Sequence, residues 1–338
     1  MNAFDSTCGG PASPFRRQLL GAVPAAALAA MVPAAWAQSD FPNRPLRVIV
    51  PQPPGGGFDF VGRALADRLA KPLGQPVVVE NRTGSGTVVG TDAAAKAAPD
   101  GYTLLTGSVS NMVLNMGLYK NLSYDSVKDF EPVGLAVSYS YTLLGRNGLP
   151  FNDLAGLVAF AKANPGKLTY ASAGNGSGQH VLAAALWSQA GVDIVHVPYR
   201  GAQPAYADLL GDRVDLFFDL TPTTRAHVET GKLKAIAVSS ATRNPMQPTV
   251  QTINESGVVK LDLESWFGFF APAKTPPAVL ARLRTELAAI IATPELQDTF
   301  RKAGGSPMSI SVADTRTMLA RDVQRWTGLI RAANISLD

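Results

Sequence analysis

The stretch Leu46–Leu69, LRVIVPQPPGGGFDFVGRALADRL, reads as a buried strand, a glycine-rich loop and a helix, in that order. The β-branched run Val48-Ile49-Val50 predicts the strand. Pro51, Pro53 and Pro54 end it, because each lacks a ladder donor and fixes φ. Gly55, Gly56 and Gly57 permit backbone angles and close approaches that a Cβ would forbid. From Val61 onward, Leu65 and Leu69 recur at helical spacing, with Arg63, Asp67 and Arg68 on other faces. Such a unit aims unpaired backbone N–H groups and the positive end of a helix dipole at one spot, which makes an anion site. A tight turn that binds nothing shares the pattern, so the motif alone leaves both open.

Residues 1–37 read as an export signal that is cut away. Arg16-Arg17 precede the apolar run QLLGAVPAAALAAMV, and Ala35-Trp36-Ala37 forms a small-x-small cleavage signature. The run contains Pro24 and is too short to span a membrane as a helix. The arginine pair fits either general or twin-arginine export. Cys8, the single cysteine, lies in this segment, so the exported chain has no disulfide, thiolate metal site or Cys nucleophile. Cleavage removes one acidic and two basic residues, lowering the formal charge by one from +4. The remaining charges are scattered, which disfavours nucleic acid and anionic membrane and suits a small anionic ligand.

Strand-like and helix-like segments alternate through the rest, predicting α/β layers with mostly parallel sheets. Strands are expected at Leu46–Val50, Val77–Glu80, Tyr102–Leu105, Val133–Val137, Leu168–Ala171, Ile194–Val197, Leu216–Phe218 and Ala235–Val238. Helices are expected at Val61–Lys71, Gly90–Ala98, Leu154–Ala163, Gln179–Ala190 and Pro204–Leu210. After about residue 275 the chain reads as a helical segment, with starts at Pro276-Pro277, Pro294 and Val312. The opening pattern returns at Leu168–Trp187, LTYASAGNGSGQHVLAAALW, where Gly174, Gly176 and Gly178 alternate with Asn175 and Ser177. Ser177 is placed to cap the following helix. Two such units fit two lobes that offer helix N-termini to one cleft; two unrelated strand–helix turns fit equally well.

At these residues the chain resembles the Bug-type periplasmic solute receptors of tripartite tricarboxylate transporters. The resemblance runs from Phe41 to about Ala333. It is carried by the opening block, by LGQPVVVENRTGSGTVVGTDAAAKAAPDGYTLL, LSYDSVKDFEPVGLAV and NPGKLTYASAGNGSGQH, and further on by VDIVHVPYRGAQPAYADLLGDRVDLFFD, GKLKAIAVSSATRNP and SWFGFFAPAKTP. It implies a two-lobed Venus-flytrap fold, with lobe 1 at 38–138 and 240–338 and lobe 2 at 139–239. Crossovers would fall near Ala136–Leu144 and Ile236–Ser240. It further implies a receptor without enzymatic activity or cofactor that closes on a small mono-, di- or tricarboxylate and delivers it to membrane permease subunits.

The resemblance also implies site positions. In the first lobe these are the loop Gly55, Gly56, Gly57, Phe58 and Asp59, with Asp59 as the loop's organiser, then Ser85 and Thr87 as hydroxyl donors, and Ser108 and Asn111 lining the same wall. In the second they are Ser172, Ala173, Asn175, Gly176, Ser177 and His180, then Tyr199, Arg200 and Gly201, and Asp219. The chain departs from the family pattern at Gln52, Phe58 and Leu220-Thr221. Phe58, with Trp266 near it in the pattern, points towards an apolar or aromatic acid.

The residues admit plainer roles as well. His180 fits a ligand contact or a cap and packing role, His196 reads as core or edge, and Asp219 suits an ammonium, a bridging water or a structural bond. Three histidines without carboxylates at ligand spacing do not make a metal site. Neither Ser85 nor Ser177 sits in G-x-S-x-G, the dinucleotide glycine spacing is one residue too long, and no Walker lysine follows the glycine triplet. A periplasmic carboxylate sensor, partnered by a sensor kinase, and a hydrolase of carboxylate esters are the alternatives to transport.

Overall fold

The computed structural model describes residues 41–332 and 335–337, with Ser85 described by its backbone alone. The expected export signal and Cys8 lie outside these residues. Strand β1 (Leu46–Val50) leads into helix α1 (Gly57–Leu73), then β2 (Val77–Asn81), α2 (Val88–Ala95) and β3 (Thr103–Ser108). Helix α1 starts four residues before the expected Val61, because Phe58 joins Val61, Leu65 and Leu69 on the buried face. Gly74, left-handed at φ 65°, ends it. A π-helical turn at Ser110–Leu114 and the single turn α3 (Asn115–Leu118) follow.

The chain then makes one long strand, β4 (Phe130–Arg146), and continues through α4 (Leu154–Ala163), β5 (Thr169–Ser172), α5 (Gly178–Ala190), β6 (Val195–Pro198), α6 (Ala202–Leu210) and β7 (Leu216–Leu220). Helix α7 (Thr221–Glu229), β8 (Leu233–Val238), β9 (Glu264–Pro272), α8 (Pro277–Ile291), α9 (Pro294–Lys302), the two-residue β10 (Ser306–Pro307) and α10 (Val312–Ala332) complete it. The strands run in the order β2-β1-β3-β9-β4-β7-β5-β6, with β8 and β10 also paired to β4. This is the two-lobed α/β fold of periplasmic binding proteins, with a helical C-terminal segment.

The expectation of mostly parallel sheets is corrected at the centre. Strands β1, β2 and β3 pair in parallel, as do β5, β6 and β7. Strand β4, however, runs antiparallel to β7, β8, β9 and β10, and β9 runs antiparallel to β3. The parallel parts need helical crossovers; the antiparallel parts arise where the chain passes between lobes and returns. Strand β4 pairs with β9 as far as Ser140 and with β7 from Tyr141. It therefore belongs to both halves.

Short polar bonds pin that passage. Ser239 Oγ accepts from Tyr141 N at 2.9 Å and donates to the Leu263 carbonyl. Asn244 Nδ2 reaches Ser140 Oγ at 2.9 Å, Thr221 Oγ1 at 3.1 Å and the Gly304 carbonyl at 3.0 Å. Strand β9, absent from the sequence reading, inserts between β3 and β4 with Phe267, Phe269 and Phe270 fully buried. Each such ring contributes about 2 kcal/mol through the apolar area it removes from water.

Candidate ligand-binding site

Both glycine-rich loops end at the boundary between the lobes, but they face different spaces. The first is set by Asp59. Its carboxylate accepts from Gly55 N at 3.1 Å, Arg63 Nε at 3.0 Å and Asn81 Nδ2 at 2.9 Å, and Asn81 also donates to the Gln52 carbonyl at 2.9 Å. Burial alone would raise its pKa, but the Arg63, Asn81 and Gly55 bonds outweigh burial and hold it below the ordinary value. Asp59 thus ties the strand end, the loop and the first turn of α1 together. With Gly55 it lines an outer groove with Arg63, Pro222 and Thr223.

Gly56, Gly57 and Phe58 border an inner chamber of about 10 Å³, room for about one water molecule. A Cβ at Gly57 would run into the Leu220 side chain, so any larger residue here needs Leu220 to move. The opposite walls are Ser110, Tyr141, Gln179, Asp219 and Ser265, with Phe267 edge-on to Phe58 at 5.2 Å. Asp219, at the end of β7, accepts from Gln179 Nε2 at 3.0 Å and from the Thr223 hydroxyl. Burial raises its pKa against the opposing bonds from Thr223, the Leu220 amide and Gln179. No cation forms a salt bridge with Asp219 among the described residues.

The larger space is an outer cleft of about 510 Å³ between the lobes. Pro51, Gln52, Thr83, Gly84, Gly86 and Thr87 wall it from the first lobe; Ala173, Gly174, Asn175, Tyr199, Arg200 and Gly201 wall it from the second. Thr87 and Gly201 are the N-cap residues of α2 and α6, so two helix N-termini open on this cleft. Arg200 is exposed and has no acidic partner among the described residues. Tyr199 donates its hydroxyl to Asp208 at 2.7 Å. The lobes touch around the cleft: Gln203 Nε2 donates to the Gly55 carbonyl at 3.3 Å, Gly178 N donates to Ser110 Oγ at 3.1 Å, and Gly86 abuts the Asn175 carbonyl.

Six of the expected positions (Thr87, Ala173, Asn175, Tyr199, Arg200 and Gly201) thus border the outer cleft, and Gly56, Gly57, Phe58 and Asp219 border the inner chamber. Others stand behind these walls. Thr87 Oγ1 is itself taken up by Asn115 Nδ2 at 3.1 Å. Ser108 Oγ bonds Ser265 Oγ at 2.7 Å, and Asn111 accepts from Ser108 N at 2.8 Å while donating to Thr91 Oγ1 at 3.1 Å. Ser177 caps α5 by accepting from His180 N at 3.3 Å. Gly176, at φ 78°, packs towards Leu118 and Leu337. Ser172 and His180 lie beneath the second loop, and the Ser85 side chain is outside the described structure.

The pairing of Phe58 with Trp266 is corrected. Side chains alternate along β9, so Phe267 meets Phe58, while Trp266 lies in a separate hollow with Met318 and Trp326 of α10. Two of the histidines, far apart in sequence, come together: His180 and His196 stack at 4.1 Å. Sequence reasoning passed over Thr83, Ser110, Tyr141, Gln179 and Ser265. Only Gln52, a departure from the family pattern and a wall of both spaces, carried a signal.

With this geometry in view, the sequence profile of the tripartite tricarboxylate transporter family receptor matches residues 61–335. The chain belongs to that family. The Bordetella pertussis protein BugT is 35% identical over 298 residues, spanning 88% of this chain and 91% of its own. A Rhodopseudomonas palustris structure described with bound malate, MatC, superposes with TM-score 0.82 at 29% identity, over 86% of this chain and 100% of that one. R. palustris Rpa4515, described with adipate, gives TM-score 0.84 at 31% identity, over 88% and 100%. Receptors of this family are described as periplasmic; this chain is a Bug-type solute-binding receptor and not an enzyme. Among the described residues no helix is long and apolar enough to cross a membrane.

Proposed function

We propose that this receptor captures a small organic carboxylate in the outer cleft by closure of its lobes and hands it to the membrane permease subunits of a tripartite transporter. The observation that carries the reading is Arg200, a cation without an acidic partner among the described residues, on a cleft into which the N-termini of α2 and α6 also open. A carboxylate there gains a charge-assisted bond and two favourable dipoles. The adipate and malate of two relatives belong to the same ligand class. Thr87, Ala173, Asn175, Tyr199, Arg200 and Gly201 form the proposed contact surface, and the Gly56–Phe58 segment and Asp219 line the inner chamber beside it.

Hinge bending at Ser138–Tyr141 and at 239–264 would then open lobe 1, 38–138 and 240–338, from lobe 2, 139–239. A ligand touching both lobes selects the closed state. Export with cleavage after Ala37 completes the proposal. A thermal-shift screen of malate, adipate, benzoate and citrate tests it. At least one should raise the melting temperature with concentration, and Arg200→Ala should reduce that shift without altering the ligand-free melt. Stabilisation by a neutral sugar alone would overturn the reading.

A further inference from the structure

The second glycine loop rests on a column of rings. His180, from the first turn of α5, accepts from Gly176 N through Nδ1 at 3.2 Å. Its ring lies 10° from parallel with that of His196 on β6, and His196 stacks in turn on Tyr170 of β5 at 4.8 Å. His196 Nε2 is 2.7 Å from Ser172 Oγ, and Ser172 Oγ is 3.2 Å from both the amide and the carbonyl of Gly174. The hydrogens balance in either arrangement. A Ser172 proton on Gly174 O requires His196 Nε2–H to donate; a Ser172 proton on His196 leaves Oγ to accept Gly174 N–H.

His180 has no such freedom. Nδ1 must offer a lone pair, because a proton there would face the Gly176 N–H, donor against donor. Only the Nε2–H tautomer of the neutral ring fits. The loop above it, Ala173 to Asn175, is the second-lobe wall of the outer cleft.

We propose that His180 and His196 are positioning residues: the neutral imidazole of His180 fixes the Gly176 amide, His196 fixes Ser172 and through it Gly174, and together they hold the ligand-facing loop in one conformation. The inference rests on the reading that this loop walls the ligand cleft. The titratable groups packed against the pair are Tyr170 and the two rings themselves. Burial lowers the pKa of His180 to about 4, and burial with the neighbouring His180 lowers that of His196 to about 3, so both rings are neutral at neutral pH.

The test separates ring packing from hydrogen bonding. His180→Asn can keep an acceptor near the Nδ1 position and loses the stack; His180→Phe keeps the stack and loses the acceptor. In ligand-free protein, the Gly176 amide should keep its ¹H shift and exchange protection in His180→Asn, and lose at least tenfold in protection in His180→Phe. If His180→Phe retains the protection, or His180→Asn loses it equally, the inference is overturned. Should His180→Phe fail to fold, a titration of the wild type decides. The Gly176 shift must move with the His180 ring resonances on acidification, and a ring that titrates past an unmoved Gly176 refutes the assignment. Because no ligand is present, these outcomes are independent of whether the wild type binds carboxylates, which the thermal screen reports separately.

Discussion

The two glycine loops share a strand–loop–helix grammar and are braced by opposite chemistry. The first is held by charge: the buried carboxylate of Asp59 gathers Gly55, Arg63 and Asn81. The second is held by neutral rings stacked beneath it. Similar sequence patterns thus give similar backbone shapes through supports that respond differently to acid. Asp59 keeps its charge to below the ordinary carboxylate pKa, whereas His180 gives up its acceptor at about 4.

The sharpest way to break the comparison is at the tip of the first loop. Gly57→Asp should strongly reduce the carboxylate-induced thermal shift, because a side chain there meets Leu220 and hinders closure of the lobes on the ligand. The helix should survive, since an acidic residue suits its N-terminus. An undiminished shift would show that the close approach of Gly57 to Leu220 is not needed for binding. Next in size, Asp59→Ala should cost about 1–3 kcal/mol in urea unfolding by stranding part-buried donors. Arg63→Ala should cost less than about 1 kcal/mol, because an ion pair with so exposed an arginine is weak. Equal losses would show that the pair, not the amide bonds, organises the loop.

A pH slope separates the two supports as well. Unfolded histidines bind protons as pH falls below 6.5, while folded His180 and His196 resist to about 4 and about 3. Stability should therefore be full above pH 6.5 and decline towards pH 4. Asp59 has the same sense but acts only below its unfolded value of 3.8. Asp219, with a raised pKa, acts in the opposite sense. The difference between wild type and His180→Asn across that window isolates the His180 share; parallel curves would remove it.

Sequence patterns located the glycine loops because glycine triplets and proline stops are local signals. Strand β1 and helix α4 appear with the expected bounds for the same reason. Strand β9 escaped because Trp266-Phe267-Gly268-Phe269-Phe270 is buried on both faces and does not alternate in polarity. Helix α7 escaped because Thr221–Glu229 has few apolar residues. In the site, Ser110, Tyr141, Gln179 and Ser265 come together only through tertiary pairing across β4 and β9. No spacing in one dimension places Gln179 beside Asp219.

Strand β4 also has a consequence for building hybrids. Since it is a working strand of both lobes, the middle segment of a relative cannot be transplanted by cutting at the point where the sheets change over. The donor's β4 would bring its own register against β9, and the recipient's would have the wrong partner in β7. A chimera with exchanged ligand preference has to carry the whole of Phe130–Arg146 from one parent, together with the β9 that parent evolved beside it.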